Sequence, residues 1–476
     1  MTTTLYWHDY ETWGADPRRD WPAQFAGLRT DEELNPIGDP LVIYCKPAND
    51  MLPQPMACMV TGITPQKALA EGLIESEFIK RIHHELAVPG TCTLGYNSIR
   101  FDDEVTRNTL YRNFYDPYAR EWQSGNSRWD IIDMVRLTHA LRPEGIEWPR
   151  HPDGKPSFRL EDLTVANDIV HASAHDALSD VHATIAVAKL IKQAQPRLYD
   201  YVFQQRQKKL VAQQLNLQLR QAVLHVSSMY PSDLGCIAMV VPLAKHPTNP
   251  NGVIVYDLRH DPEPLLSLDD EELHKRLFTP SKDLPQGVER LPLKTVHLNK
   301  CPVVAPMKTL TAEAAERWSI DVEMGMRYRE RLLAAQGLTE KIDRVHRMTQ
   351  FEAISDPDLA LYSGGFFSQG DRRRMDQILA CRSDELASFP LVFDDQRLPE
   401  MLFRYRARNW PETLSTEENE RWDEYRHARF FEPEGGGSLQ MDEYLVLLDQ
   451  LEADQDLPEQ RRRLIPDLLA WAEQVG

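Results

Sequence analysis

Residues 4–14, TLYWHDYETWG, constrain this chain more than any other segment. An aromatic-rich apolar run, Leu5 to Trp7, leads into two carboxylates, Asp9 and Glu11, and Gly14 ends it. Such a run favours a buried strand. Successive side chains of a strand alternate faces, so Asp9 and Glu11 stand side by side on one of them. Like charges held that close are explained either by a shared metal ion or by a solvated strand end. The spacing alone does not choose, because Asp31 and Glu33, Asp102 and Glu104, Asp261 and Glu263, and Asp269 and Glu271 repeat it.

The partners of that pair must come from elsewhere in a long chain. With 476 residues, 42% of them hydrophobic, about three domains with real cores are expected. The start of the chain lacks the basic-then-apolar pattern of a secretory signal. The longest apolar stretches, such as CIAMVVPLA from Cys236, fall far short of the ~20 residues of a membrane span. Six cysteines without a CxxC argue against a zinc site and fit reduced thiols, so a soluble cytoplasmic protein is expected. A net charge of -19 argues at first against a nucleic-acid partner. The charge is uneven, however. Basic residues gather at Arg206, Lys208 and Lys209, at Lys294 and Lys300, and at Arg372 to Arg374, while carboxylates dominate from Asp442 to Glu459. An acidic enzyme acting on a polyanion needs divalent cations beside its carboxylates and basic residues along the rest of the path.

Short apolar runs alternate with helical patterns up to about residue 190, which predicts an α/β layer structure. QPRLYDY, near 195–201, reads as a boundary. From there to about 350 the runs VLHVSS, CIAMVVPLA, GVIVYDL and LKTVHL, separated by turn residues, predict a small barrel with attached helices. From about 353 onward the chain reads as helical, with Met441, Tyr444, Leu445, Leu448 and Leu451 forming one apolar stripe. The triple glycine at 435–437 lacks the Lys and Ser/Thr of a phosphate loop and reads as a surface turn.

Two further segments carry chemistry. In LGYNSIRFDDEVTRN a strand ends near Asn97 and a helix begins near Asp102; in HASAHDALSDVHATIAVAKLI, His175 and Asp180 open an apolar helix. Together with the first segment these resemble the three exonuclease motifs of the DEDD superfamily: DxE in Asp9 and Glu11, NxxxFD in Asn97 and Asp102, and HxAxxD in His175, Ala177 and Asp180. A histidine five residues before the last aspartate marks the DEDDh branch. The loop with Gly62, Ile63 and Thr64 sits where that superfamily touches the terminal nucleotide. The stretches HDYETWG, PAQFAGLRTD, RFDDEVTRN, NFYDPYA, NSRWD, LRPEGIEWP, PSFRLEDLT, HLNKCPV and FRYRARNWP are similar to bacterial exonuclease I and span nearly the whole chain.

That resemblance implies an α/β multidomain protein: a ribonuclease-H-like exonuclease domain over 1–190, a Src-homology-3-like β-barrel domain with helices over 196–350, and a C-terminal α-helical domain over 353–476, joined around a channel. It implies processive 3′ to 5′ degradation of single-stranded DNA to 5′-mononucleotides, a role in DNA repair and recombination, and a monomer. Phosphodiester hydrolysis builds charge on attacking and leaving oxygens, which two hard cations stabilise. Carboxylates suit Mg2+, with Mn2+ as a substitute. Asp9, Glu11, Asp102 and Asp180 are therefore the expected ligands, with Asp9 bridging, and His175 is the expected general base. By resemblance the strand is held by Glu11, Thr64, Arg107, Tyr118, Trp122, Arg136 and Arg159, and by Tyr201, Lys208, Asn251, Lys294, Asn299 and Lys300. The acidic C-terminal tail of single-strand binding protein is the implied protein partner. Two positions where the family's pocket arginines are expected hold Thr311 and Leu333, with Arg329 and Arg331 nearby. An exoribonuclease of the same superfamily and a strand-binding scaffold with a vestigial nuclease centre are the competing readings; the complete carboxylate set and His175 speak against the scaffold.

Overall fold

The computed structural model describes residues 3–171, 175–349, 354–389 and 392–476. The chain divides into two compact units, one of residues 1–127, 171–184 and 353–476, the other of residues 128–170 and 185–352.

In the first unit, β1 (Thr4–Thr12) lies between β2 (Pro22–Thr30) and β4 (Thr91–Gly95), with β3 (Leu41–Tyr44) beyond β2. β1 runs antiparallel to β2, with Asp9 opposite Ala26 and Glu11 opposite Gln24. Its parallel pairing with β4 spans only Thr4 to Trp7. The two carboxylates thus lie beyond the point where the neighbouring strand has left, at the carboxyl ends of parallel strands, where open α/β sheets place ligands. Gly95 permits that departure, since a Cβ there would sit 2.7 Å from the His8 carbonyl oxygen. Tyr6, Tyr10 and Phe25 pack with Phe78, Ile79 and Ile82 of α3 (Glu75–Leu86) and with Val105 and Leu110 of α4 (Asp102–Arg112) in one core. Two shorter helices, α1 (Pro55–Thr61) and α2 (Pro65–Glu71), precede α3.

A second core crosses the chain order. Trp13, Trp21, Met51, Leu52 and Met59 pack with Met441, Tyr444, Leu448, Leu451, Leu468 and Trp471 from the C-terminal helices. The expected stripe on the helix Met441–Ala453 is buried except at Leu445, which is 38% exposed, because the turn places it beside the apolar face and not within it. Beneath this core lies an ion-pair network. Asp50, fully buried, meets Arg408 at 2.9 Å and Arg429 at 3.6 Å, and Asp358 meets Arg408 at 2.8 Å and Arg404 at 3.1 Å. Burial alone would raise the Asp358 carboxyl, but Arg408 and Arg404 outweigh it and hold the group far below the usual carboxylate range.

The second unit begins within β5 (Ser127–Asp130) and contains α5 (Ile132–Leu141) and α6 (Leu160–Ala166). The helix α7 (Ala177–Ala194) starts in the first unit and ends in the second. The predicted boundary at 195–201 is a helix, α8 (Pro196–Gln205), whose buried Tyr199 packs edge-on against Trp129, with ring centres 5.4 Å apart. The β-rich runs form one antiparallel sheet in the order β10-β6-β7-β8-β9: β6 (Val223–Val226), β7 (Ile237–Lys245), β8 (Gly252–Asp257), β9 (Leu293–His297) and β10 (Val303–Pro306). β7 is buried on both faces up to Lys245, which explains its continuous apolar sequence.

Removing one member of a buried ion pair strands the other charge. Asp50→Ala should therefore lower unfolding free energy by about 3–5 kcal/mol, read by denaturant titration of the first unit's transition. Because the Asp358 carboxyl is depressed in the folded state, its contribution is present at neutral pH and is lost as pH falls below the ordinary carboxylate range.

Candidate active site

Three segments converge at the end of β1. One ligand atom from each of Asp9, Glu11 and Asp180 lies within 4.8 Å of the others, a grouping able to hold a metal ion. Asp102 opens α4 and accepts a hydrogen bond from the Tyr10 backbone N–H at 3.0 Å. It takes the place of a ladder partner on the side where β4 has departed. The same helix is pinned to β1 by the Thr106 hydroxyl, 3.0 Å from the Tyr10 phenol oxygen. Asp102, Asp103 and Glu104 fill its first turn, where the helix dipole favours negative charge.

The electrostatics follow from this crowding. Burial, then the charges of Asp102, Glu11 and Asp180, push the Asp9 carboxyl well above its ordinary value. Burial, then Asp180 and Asp102, push Glu11 up to about 9. Asp176 adds to both shifts. Sequence reasoning missed Asp176, although it sits inside the third motif. It also caps α7, its Oδ2 accepting from the Ser179 N–H at 3.2 Å and its carbonyl from the Asp180 N–H at 3.0 Å.

His175 lies one residue before that cap, with φ of 63°. A non-glycine residue in left-handed backbone costs about 1–2 kcal/mol. The turn aims its backbone N–H at Asp180 Oδ2, 3.2 Å away. His171, also missed from sequence, places Nε2 2.5 Å from Asp180 Oδ1. The signal that could have found it is a second histidine one helical turn's spacing ahead of the first.

The expected strand-binding residues divide by what they touch. Arg107 is buried, with Glu121 at 2.7 Å, Glu104 at 2.9 Å and the Tyr362 hydroxyl at 3.1 Å, and its guanidinium lies 5.3 Å from the Tyr118 ring centre. Arg136 is held by Asp133 at 2.6 Å. Thr64 caps α2, accepting from the Lys67 N–H at 3.3 Å, and follows buried Ile63 and left-handed Gly62. The Tyr201 hydroxyl donates to the Val304 carbonyl at 2.9 Å, and Lys294 lies over the Tyr230 ring at 4.7 Å. By contrast Trp122 is 66% exposed, Arg159, Asn299 and Lys300 are exposed, and the exposed Lys208 donates to Asn251 at 3.3 Å. At the expected partner pocket, Thr311 caps a helix, accepting from the Ala314 N–H at 3.1 Å. Arg329 donates to the Arg220 carbonyl at 2.7 Å, and Arg331 pairs with Asp261 and Glu263 at 2.8 and 2.6 Å.

Three family models match the chain: Exonuclease over residues 6–188, Exonuclease I SH3-like domain over 206–348, and Exonuclease I C-terminal domain over 355–475. Exodeoxyribonuclease I of Escherichia coli K12 is 47% identical over 476 residues, covering 99% of this chain and 98% of that protein. Among solved structures, a moderately thermophilic exonuclease I from Methylocaldum szegediense is 56% identical with a TM-score of 0.95, covering 99% of both chains. The Escherichia coli exonuclease I complex with a dA16 oligonucleotide is 46% identical with a TM-score of 0.95, covering 100% of both. A site of clustered carboxylates on an exonuclease fold defines a metal-dependent nuclease, and the chain belongs to the exonuclease I family. No helix among the described residues is long and apolar enough to cross a membrane.

The raised carboxyls set a pH dependence. Between about pH 4.5 and 9 the folded state keeps a proton on Glu11 that the unfolded chain has released, so this group's contribution to metal-free stability falls as pH rises. Melting curves at pH 5.5 and 8.5 should show the loss. A divalent cation should restore stability at the higher pH, and Glu11→Gln should flatten the metal-free profile.

Proposed function

We propose that this protein is a cytoplasmic, monomeric 3′ to 5′ exodeoxyribonuclease that degrades single-stranded DNA processively to 5′-mononucleotides and serves DNA repair and recombination. The observation that carries the reading is the convergence of Asp9, Glu11 and Asp180 within 4.8 Å on a chain that matches exonuclease I over its whole length. Asp9, Glu11, Asp102 and Asp180 are assigned as ligands of two Mg2+ ions, with Mn2+ able to replace them. Bound there, the cations would supply positive charge to the attacking and leaving oxygens of the phosphodiester. Asp9, crowded by Asp102, Glu11 and Asp180, would be the ligand shared by the ions, and Glu11 would also abut the terminal nucleotide. His175 accepts the proton of the attacking water. Its position next to the cap of the helix that carries Asp180 supports this role.

Strand grip is assigned to exposed Trp122, Arg159, Lys208, Asn299 and Lys300 and to half-buried Asn251, which combine an aromatic platform with charge and amide donors. Arg107, Tyr118, Arg136, Thr64, Tyr201 and Lys294, each already engaged, shape the walls and retain donors or ring faces toward the strand. The acidic tail of single-strand binding protein is the proposed partner, supported by the exonuclease I/SSB-Ct complex, whose enzyme chain is 45% identical. With Thr311 and Leu333 in place of the expected arginines, Arg329 and Arg331 are the residues proposed to meet it. The domain boundaries near 190–196 and 350–353 belong to the same reading.

Digestion of end-labelled single and double strands tests the activity. Mononucleotides should appear only from a free 3′ end of single strands and only with Mg2+ or Mn2+, while Ca2+ supports binding with little turnover. Rapid cutting of a circular single strand would overturn the reading. His175→Ala should lower turnover by roughly 10² to 10⁴ and leave strand binding nearly intact. Affinity of an Asp9→Ala variant for single strands should fall with salt at a log-log slope of about -0.7 per phosphate neutralised.

A further inference from the structure

Asp180 is gripped at both carboxylate oxygens. Oδ1 meets His171 Nε2 at 2.5 Å, and Oδ2 accepts the His175 backbone N–H at 3.2 Å. With Asp180 ionised, as a metal ligand must be, its oxygens only accept hydrogen bonds, and the proton of the short contact then lies on His171 Nε2. The His171 side chain is 5% exposed and the Asp180 side chain 16%, which sets the contact in the wall of the site and not on the surface. Neither His171 nor the His175 backbone belongs to the cluster of Asp9, Glu11 and Asp180 that faces the metal position.

We infer that His171 is a positioning residue for the nuclease reaction: its Nε2–H fixes the plane of the Asp180 carboxylate so that this group meets a divalent cation without first reorienting. The inference rests on the reading of Asp180 as a metal ligand. Its physical basis is general. An aspartate carboxylate, two torsions from the backbone, can rotate in the first turn of a helix, and stopping that rotation otherwise weakens metal binding. A hydrogen bond from each side stops it in advance. The His175 main chain supplies one and persists through any substitution other than proline. The His171 ring supplies the other and can be removed. His171 is thereby separated in role from His175, whose ring is assigned to the attacking water.

The test compares His171→Met, which keeps similar bulk and lacks a donor, with His171→Gln, whose amide can place an N–H near the position of Nε2. Mn2+ binding is measured by calorimetry in the full-length protein at pH 8, beside the parent and Asp180→Asn, and turnover is measured as a function of Mn2+ concentration. The expected result is an affinity lowered roughly 10- to 100-fold in His171→Met and largely restored in His171→Gln. Turnover of both at saturating Mn2+ should approach that of the parent. Unchanged Mn2+ affinity in His171→Met, with Asp180→Asn weakened, overturns the positioning role and leaves the ligand assignment standing. If turnover in His171→Met also stays low at saturating metal, that histidine acts in chemistry instead. Unchanged affinity in Asp180→Asn overturns the ligand assignment and the inference with it. Should His171→Met fail to fold, His171→Gln with affinity as weak as Asp180→Asn also overturns it.

Discussion

Mutual repulsion of carboxylates at the end of one strand is the constraint on which the rest of this molecule depends. At an effective dielectric constant of about 20, two unit charges at the 4.8 Å limit of the Asp9, Glu11 and Asp180 cluster repel by about 3 kcal/mol. Three such pairs approach the whole net stability of an ordinary domain. Without a cation the site responds by keeping protons, as the raised Asp9 and Glu11 carboxyls record. A divalent ion offsets the same repulsion while leaving the oxygens available, and that exchange of proton for metal is what makes the cluster chemically useful.

The scaffold has to hold the cluster against its own repulsion. β1 is fixed on one side by β2 along its full length and on the other by β4 only as far as Trp7. α4 delivers Asp102 into the space left open, anchored through Tyr10, and α7 delivers Asp180 from a capped first turn. Behind them the cores around Phe25 and Trp13, and the buried Asp50 and Asp358 ion pairs, supply rigidity remote from the site. Repulsion at one end of the unit is thus balanced by packing and paired charge elsewhere in it.

Much of this was legible in the sequence, because the decisive signals are local. Strand alternation put Asp9 and Glu11 on one face, and motif spacing brought in Asp102, His175 and Asp180 from segments that end at helix starts. The α/β, β-rich and helical regions followed from periodicity. Other features depend on partners that no local pattern names. The packing of Trp13 and Met51 against Trp471 joins segments more than 400 residues apart, so the chain order of domains does not reveal that shared core. Arg107 and Arg136 are assigned to the strand by resemblance, but their pairing with Glu121 and Asp133 is a tertiary fact. His171 stands four residues ahead of His175 in sequence, but its contact with Asp180 is again set by the fold.

The carboxylates at the end of β1 are assigned as a divalent-metal centre. Anomalous diffraction from crystals grown with Mn2+ and a 5′-mononucleotide tests it most directly. Manganese peaks are expected in contact with Asp9, two of them about 4 Å apart and flanked by Glu11, Asp102 and Asp180. Manganese bound only elsewhere, with these carboxylates left protonated or solvated, would contradict it.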